Sequence, residues 1–346
     1  MKHKVQNTKH ETFFIPKKLI SILLVALCFV LCASITYAQQ ISLSISPPLL
    51  DVLIKPGKSI LVAYRVENFG DPIIVGSKVL PFIPKDNNGN IQIKDKFEGP
   101  IQFSLDNANL KLGDSFFLKT HDSQQLLLRI NVPEDVYDGD YYYSLLAQTQ
   151  PPPTIEGSSS SRAQATIGSN ILVTVSGSGK VDVNGKVALF DVLPHWKLDI
   201  FGRTLKLFDS NDKIPVVMIV ENKGANRILP QGEIVMKGNF GETAHYDILS
   251  QNILAQSQRQ LFATPSATID CQNDSKEKAC LTPTSLILSG FFIGRYLLST
   301  TINFGEGTPN IFASTSFIAL PFKFIISLFV VISVAVLIIR KIRDNQ

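Results

Sequence analysis

Residues that carry metal-dependent or nucleophilic chemistry are scarce in this sequence. It contains five histidines, four cysteines and one tryptophan. Beyond residue 40 the histidines are His121, His195 and His245, and no two of them lie close together in sequence. No HExxH, GxSxG or SxxK motif occurs in a suitable context. We therefore predict that the protein is not an enzyme, has no catalytic residues, and binds no metal ion or cofactor.

A basic surface is also lacking in the central part of the chain. The formal net charge of +4 at pH 7 arises from the two ends, because residues 39–321 contain 24 basic and 27 acidic side chains. A segment with this slightly negative balance does not attract a polyanion such as DNA or RNA. We therefore predict no nucleic-acid partner.

The first 38 residues have the three parts of a secretory signal peptide. Five lysines precede an apolar run over residues 19–33, and a small-x-small sequence, Thr36-Tyr37-Ala38, follows it. The apolar run is shorter than the roughly 20 residues that a membrane-spanning helix needs. We predict export of the chain and cleavage after Ala38, so that residues 1–38 are removed. The alternative is an uncleaved signal anchor.

A second apolar run, residues 322–339, lies near the C-terminus. As a helix with a rise of about 1.5 Å per residue, it would cross most of a hydrocarbon core of about 30 Å. Arg340, Lys341 and Arg343 follow directly, and basic residues are retained on the cytoplasmic side of a membrane. The sequence predicts a single-pass protein of the cell membrane, with a cytoplasmic tail over 340–346 and the remainder of the chain outside.

Between its two ends the sequence consists of short runs that favour β-strands. Residues 61–66, 141–146 and 216–220 are examples; Gly, Pro, Asn and Asp turns separate such runs, and no long stretch has helical periodicity. Many short strands with frequent turns are typical of antiparallel sandwiches. At about 100–150 residues per domain, the length predicts two of them. The predicted fold is all-β, with two tandem immunoglobulin-like antiparallel sandwiches and one C-terminal transmembrane helix.

An internal repeat supports two domains with one plan. Residues 66–70 (VENFG) recur as residues 220–224 (VENKG), and residues 139–141 (GDY) recur as residues 294–296 (GRY). From Glu to Gly the two elements are 72 residues apart in the first copy and 73 in the second. In both copies Asn and Gly provide a turn at the end of a strand.

The low-complexity stretch 150–162 is interpreted as a long hairpin loop, because the residues after it still favour a strand. This interpretation places a first sandwich over 39–176 and a second over 177–306. Residues 307–321 are then predicted to be a juxtamembrane linker.

Tyr141 and Tyr296 each follow the glycine of the repeat by two residues. In immunoglobulin-like sandwiches a tyrosine near this point donates a hydrogen bond back to the preceding corner. We interpret both as tyrosine-corner candidates; the alternative is a plain tight turn that leads into a strand.

Cys271 and Cys280 are the cysteines expected in the mature chain. They lie nine positions apart in a polar loop, and outside the membrane such a pair is predicted to form a local disulfide. The alternative is a pair of free thiols.

Two acidic segments and the tryptophan remain. Residues 86–90 (DNNGN) are interpreted as a hairpin tip, with a calcium loop as the alternative. The cluster of Glu134, Asp135, Asp138 and Asp140 is interpreted as a solvated turn, again with calcium as the alternative. Trp196 is predicted to be a core side chain at the start of a strand.

Six short elements follow one another in the first half of the chain: Ser46-Pro47-Pro48, Lys55-Pro56-Gly57, Val66-Glu67-Asn68, Asn88-Gly89, Val132-Pro133 and Asp138-Gly139. Their order resembles the extracellular N-terminal domain of WxL-interacting proteins, over residues 41–175. The layout of signal, two β domains, one C-terminal helix and a basic tail is also similar. The resemblance implies a surface-anchored protein that binds peptidoglycan and a WxL-domain partner.

These observations predict a non-enzymatic binding or scaffold protein of the cell surface, whose ectodomain binds cell-wall polymer or another surface protein. The alternative is an accessory or sensor subunit of an envelope complex that acts through its membrane helix.

Overall fold

The computed structural model describes residues 40–150, 164–194, 196–200, 202–264, 284–305 and 308–344. The predicted cleavage site at Ala38, the predicted disulfide between Cys271 and Cys280, and His195 lie outside these residues.

Ten strands form the N-terminal sandwich. They are β1 (Leu43–Ser46), β2 (Leu49–Ile54), β3 (Ser59–Asn68), β4 (Ile73–Pro84), β5 (Ile91–Ile93), β6 (Gln102–Leu105), β7 (Ser115–Leu118), β8 (Ser123–Asn131), β9 (Gly139–Gln150) and β10 (Thr166–Val175). One sheet has the order β1-β3-β8-β6; the other has the order β2-β10-β9-β4, and both β5 and β7 pair with β4. The pairing is antiparallel except between β2 and β10, which are parallel.

Alternating burial explains why these strands form two layers. In β3, Tyr64 and Val66 are fully buried while Arg65 between them is exposed, since successive side chains point to opposite faces of a sheet. The large core side chains between the two sheets are Tyr64, Ile101, Leu118, Leu126, Leu128, Ile130, Tyr143, Leu145 and Ile171.

Eleven strands form the second sandwich, and one helix follows. The strands are β11 (Gly185–Val192), β12 (Trp196–Ile200), β13 (Arg203–Asp209), β14 (Ile214–Asn222), β15 (Gln231–Gly238), β16 (Thr243–Ile248), β17 (Gln258–Gln260), β18 (Ala263–Thr264), β19 (Leu286–Leu288), β20 (Gly294–Asn303) and β21 (Ile311–Leu320); the helix is α1 (Phe322–Asp344). The larger sheet has the order β12-β13-β21-β20-β15-β16-β18. In the smaller sheet β11, β17 and β19 all pair with β14.

The two sandwiches share a plan. In the first, β1 pairs antiparallel with β3 and β2 then joins the opposite sheet, parallel to the last strand β10. In the second, β11 pairs antiparallel with β14 and β13 joins the opposite sheet, parallel to the last strand β21. The second sandwich differs by β12, an additional strand that pairs with the outer side of β13.

The repeated Asn has one role in both copies. Asn68 and Asn222 are buried, and the Oδ1 atom of each accepts a hydrogen bond from the N–H of the glycine two residues later. The Nδ2 atom of each donates to three backbone carbonyls, which belong to Asp71, Leu118 and Lys119 in the first sandwich and to Asn226, Ile253 and Leu254 in the second. Each asparagine therefore holds a neighbouring loop against the end of its strand.

The structure confirms the predicted fold class: it is all-β, with two tandem sandwiches and a C-terminal apolar helix. In the described part of the chain, α1 is the helix that is long and apolar enough to cross a membrane, with a mean hydropathy of 2.9. It continues beyond the predicted end at residue 339.

The chain before α1 differs from the prediction of a linker over 307–321. This stretch contains β21, which pairs with β20 from Ile311 to Ala319. Phe317 and Ala319 point into the core of the second sandwich and are buried, so the segment is part of the fold. Pro321 is the single residue between β21 and α1.

Trp196 lies at the start of β12, as predicted, but the prediction that it is a core residue is wrong. Its side chain is 76% exposed. The physical reason is the position of β12 at the edge of its sheet, where β13 is its partner among the described strands and no second layer covers the ring.

Candidate functional site

A buried carboxylate joins the two sandwiches. Asp140, near the start of β9, has a side chain only 1% exposed. It accepts hydrogen bonds from Asn226 Nδ2 (2.8 Å) and from the backbone N–H of Arg227 (2.6 Å), both in the second sandwich. The prediction of a solvated turn is therefore wrong for this member of the acidic cluster, because a loop of the other sandwich covers it.

Arg227 extends the same junction to two further strands. One guanidinium nitrogen, Nη2, pairs with Asp51 in β2, and the other, Nη1, donates to Thr174 Oγ1 in β10 at 2.6 Å. Nη1 also lies 3.9 Å from the Asp140 carboxylate. One arginine thus contacts three adjacent strands of the first sandwich, and its charge compensates the buried carboxylate.

Tyr142 completes the junction. Its hydroxyl donates to Asp140 Oδ2 at 3.0 Å and accepts a hydrogen bond from the N–H of Ala255 at 2.8 Å. Its ring stacks on Phe82, with ring centroids 5.7 Å apart. Burial, together with the nearby Asp140 charge, raises the pKa of Tyr142 well above its usual range. The hydroxyl therefore stays protonated and remains a donor to the carboxylate.

Beside this junction the two sandwiches enclose a cleft of about 340 Å³. One wall is the outer face of the first sandwich, where Leu49, Phe82 and Leu172 are apolar. The opposite wall is the segment 251–259 of the second sandwich, and the tip of the β4–β5 hairpin forms one end. The cleft thus has an apolar side and a polar side.

Arg259 is the basic side chain that lines the cleft, and Asp86 of the hairpin tip is the acidic one. The Nη1 atom of Arg259 donates to the carbonyl of Asn252 at 2.8 Å, whereas its Nε–H is buried and has no hydrogen-bond partner. Burial lowers the pKa of the guanidinium. No carboxylate lies within ion-pair distance of Arg259 in the described part of the chain.

Two neighbours shape the surroundings of this cation. A Cβ atom at Gly89 would overlap the guanidinium, so the hairpin tip packs directly on it and a side chain there would displace it. Gln251 also lines the cleft, and its Oε1 atom is buried without a partner. The polar wall therefore contains one buried donor and one buried acceptor without a partner, which is uncommon in a finished core.

The hairpin tip at residues 86–90 is structured by its own aspartate. The Asp86 carboxylate accepts hydrogen bonds from Asn90 Nδ2 (2.8 Å) and from the N–H groups of Asn88 (2.9 Å) and Asn90 (3.2 Å). The bond from the Asn90 side chain is the main reason why the pKa of Asp86 is lowered. The segment forms a hairpin, as predicted, and the described residues contain no cluster of three or more metal-ligating side chains.

The two tyrosine-corner candidates differ. The Tyr141 hydroxyl donates to the carbonyl of Tyr137, four residues earlier, at 3.0 Å, which is the geometry of a tyrosine corner. The Tyr296 hydroxyl accepts a hydrogen bond from the N–H of Ile293 and donates to Glu242, both at 3.3 Å. The predicted cytoplasmic residues Arg340, Lys341 and Arg343 lie exposed in the last turns of α1.

Sequence reasoning did not find Asp140, Arg227 or Arg259 as members of a shared site. Asp140 and Arg227 are 87 positions apart, and the repeat and acidic cluster that contain Asp140 do not indicate a contact with Arg227.

No protein-family model matches this chain, and no curated protein matches it. Among solved structures it is similar to the class 5 fimbriae chaperone CfaA, with 11% identity and a TM-score of 0.36 over 81% of this chain and 100% of that one. The E. coli chaperone DraB has 13% identity and a TM-score of 0.34, over 79% and 98%. The CsuC–CsuE chaperone–tip adhesion subunit complex of Acinetobacter baumannii has 10% identity and a TM-score of 0.32, over 81% and 99%. These likenesses are too distant to indicate a function.

Proposed function

We propose that this protein is a non-enzymatic binding protein of the cell surface, anchored in the membrane by α1, and that the cleft between its sandwiches is the binding site. The observation that carries the proposal is Arg259. A cation that has lost water and has an unused N–H stabilises a complex with an anion more than a solvated surface arginine does.

The chemistry of the cleft fits a chain segment that bears a carboxylate next to an amide. The carboxylate would pair with Arg259, an amide group would bond the side-chain amide of Gln251, and an apolar side chain or methyl group would lie on Phe82 and Leu172. The peptide parts of cell-wall polymer have this combination of groups. We therefore propose wall polymer as the ligand, in line with the resemblance to WxL-interacting proteins.

The anchor in this proposal is α1, with the basic residues Arg340, Lys341 and Arg343 on the cytoplasmic side. The sandwiches then lie outside the cell, where wall polymer is present. Export by the predicted signal over residues 1–38 is part of the same proposal.

The test is retention of the full chain, reconstituted in lipid nanodiscs, by protein-free peptidoglycan sacculi. We expect saturable binding that Arg259→Gln weakens by about 10-fold or more, because a charge-assisted hydrogen bond is worth about 1.5–3 kcal/mol. Arg65→Gln is the matched control, since Arg65 lies on the outside of β3 with a side chain 61% exposed.

Three outcomes separate the parts of this proposal. No retention of the unaltered protein would refute wall polymer as the ligand, and crosslinking on intact cells would then be used to find a protein partner. Equal weakening by Arg65→Gln would mean that binding depends on the overall charge of the protein and not on Arg259 in particular. Retention that is unchanged by Arg259→Gln would exclude the cleft as the binding site.

A second candidate function is that of an accessory or sensor subunit. The observation that favours it is the direct connection of the fold to α1: the Lys323 N–H donates to Asp209 Oδ2 at 3.0 Å, and its Nζ atom lies 3.0 Å from Asp212 Oδ1. A displacement of the second sandwich would thus reach the helix. Affinity purification from crosslinked membranes would test it: a stoichiometric membrane partner that is lost when α1 is replaced by an unrelated helix would favour this function.

A further inference from the structure

Three exposed aromatic rings lie at one end of the second sandwich, although they are far apart in sequence. Trp196 is 76% exposed, Phe240 is 74% exposed and Phe291 is 63% exposed. Trp196 begins β12, Phe240 is in the β15–β16 turn, and Phe291 precedes β20. Exposed rings of this size are costly in water unless a partner covers them.

The strand register places all three at the end where α1 begins. Gly294, just after Phe291, pairs with Ala319, which is three residues before α1. Asp209 at the end of β13 pairs with Leu320, and Trp196 pairs with Leu207 of the same strand.

Phe240 belongs to this end as well. The strand before it, β15, ends at Gly238, which pairs with Tyr296 in β20, so the turn that follows projects past Gly294. A Cβ atom at Gly294 would lie 3.4 Å from the Phe240 ring, so the ring stands beside the start of β20.

The start of α1 is fixed to the same end. Two aspartates, Asp209 and Asp212, hold Lys323 in the first turn of the helix, and Pro321 is the only residue between β21 and α1. A cavity of about 260 Å³ is lined by Trp196, Leu207 and Phe208 on the sandwich and by Phe322, Lys323 and Ile326 at the start of the helix. The apolar surface of the helix is thus continuous with the exposed tryptophan.

We propose that this end of the second sandwich rests on the bilayer, with Trp196, Phe240 and Phe291 in the interfacial layer of the membrane that α1 spans. This inference rests on the proposed membrane anchoring by α1. The partner is lipid because the rings surround the point where an apolar helix leaves the fold, and tryptophan and other aromatic rings favour the level of the headgroups. The ectodomain is then held against the membrane and not on a flexible stalk.

Trp196 is the only tryptophan of the chain, so its fluorescence reports on this contact without any labelling. The full chain is reconstituted into phosphatidylcholine vesicles with and without brominated acyl chains. We expect a blue-shifted emission that brominated lipid quenches by about half, since the ring would lie within contact distance of the upper acyl chains.

Flotation of the vesicles is measured first, because it separates two kinds of failure. A chain that does not float with the vesicles would contradict the anchoring by α1 itself. A chain that floats but has unquenched emission typical of water would overturn the present inference and leave the anchoring intact. Unquenched emission that is blue-shifted and depends on protein density would also overturn it, in favour of a contact between two copies.

A matched pair of variants tests the other two rings. Phe240→Ser combined with Phe291→Ser is expected to reduce the quenching of Trp196 by brominated lipid. Phe312→Ser is the control, since Phe312 is 71% exposed on β21 but lies at the opposite end of that strand. Quenching that is unchanged in the double variant, or equally reduced by the control, would refute a role for Phe240 and Phe291 in the contact.

Discussion

The two sandwiches have one plan but use their edges differently. In the first, the outer side of β2 has no strand partner among the described residues, and Asp51 on this strand pairs with Arg227 of the second sandwich. In the second, the equivalent strand β13 is covered by β12, which has Trp196 at its start. The same position in the fold therefore serves the junction between the sandwiches in one copy and the region next to α1 in the other.

The internal repeat likewise combines an element with the same role in both sandwiches and an element whose role differs. Asn68 and Asn222 make equivalent hydrogen bonds, so this element preserves the fold in both copies. Tyr141 and Tyr296 both follow a glycine with positive φ, yet Tyr141 bonds a backbone carbonyl while Tyr296 is buried and stacks on Phe317. A repeated sequence element thus predicts a shared turn more reliably than a shared side-chain role.

The largest expected effect comes from removal of the repeated asparagine. Asn68→Ala or Asn222→Ala removes four hydrogen bonds that hold a loop against the end of a strand, and each should lower the free energy of unfolding of its own sandwich by about 3 kcal/mol or more. Calorimetry of the full chain should show the loss in a different transition for each variant. Asn131→Ala is the control, because the Asn131 side chain bonds only an exposed Gln102. A loss confined to one of the two asparagines would contradict their equivalence.

Removal of Arg227 should weaken the coupling between the unfolding of the two sandwiches. In Arg227→Met the buried Asp140 carboxylate keeps its backbone N–H donor but loses its compensating charge, which should cost about 2 kcal/mol. We expect the two unfolding transitions to move apart, as measured by denaturant titration. Arg129 forms an exposed ion pair with Asp106 within the first sandwich. Arg129→Met should therefore leave the separation between the two unfolding transitions unchanged.

High pH should distinguish the two cores. Burial raises the pKa of Tyr64 and of Tyr143 to about 12 and that of Tyr142 still further, while those of Tyr246 and Tyr296 in the second sandwich are raised by less. A raised pKa stabilises the folded state below pH 10, the unfolded value, and the contribution is lost as the pH rises towards 12. At pH 11 each of these three tyrosines should therefore cost the first sandwich about 1 kcal/mol.

Circular dichroism between pH 9 and pH 12 measures this difference, and Tyr64→Phe should remove about a third of it. An equal alkaline transition in both sandwiches would contradict the assignment of the effect to these three buried hydroxyls.

The smallest expected effect concerns the glutamate of the repeat. Glu67 pairs with Arg65 in the first copy and Glu221 with Lys186 in the second, and both cations are about half exposed or more. Because exposed ion pairs contribute little, Glu67→Ala and Glu221→Ala should each shift the melting temperature by no more than about 2 °C, and less at high salt. A larger shift in one copy, measured by thermal unfolding at two salt concentrations, would reveal a difference that the geometry does not predict.

The strands could be predicted because their signal is local. The runs 61–66, 141–146 and 216–220 all lie within strands of the structure, since side-chain alternation and turn residues are properties of neighbouring positions. The stretch 307–321 was mistaken for a linker because β21 is rich in Ala, Ser and Thr, and its partner β20 is what makes it a strand.

The candidate site could not be predicted because its signal is not local in the sequence. The roles of Asp140, Arg227 and Arg259 arise from contacts between distant parts of the chain, which the neighbouring residues in the sequence do not reveal. Trp196 shows a related limit: hydrophobicity alone does not distinguish a ring that packs in a core from one that meets another surface.

The direct passage from β21 into α1 has a consequence for the search for a ligand. With α1 in the bilayer as we propose, the cleft can diffuse laterally in the plane of the membrane. No flexible linker joins β21 to α1, so the distance between the cleft and the membrane cannot change much. A strand of ten residues spans about 33 Å, so the cleft samples a layer only a few tens of Å above the lipid. Encounters are then confined to two dimensions, and the reach of the ligand, not that of the protein, decides which parts of the wall are within range.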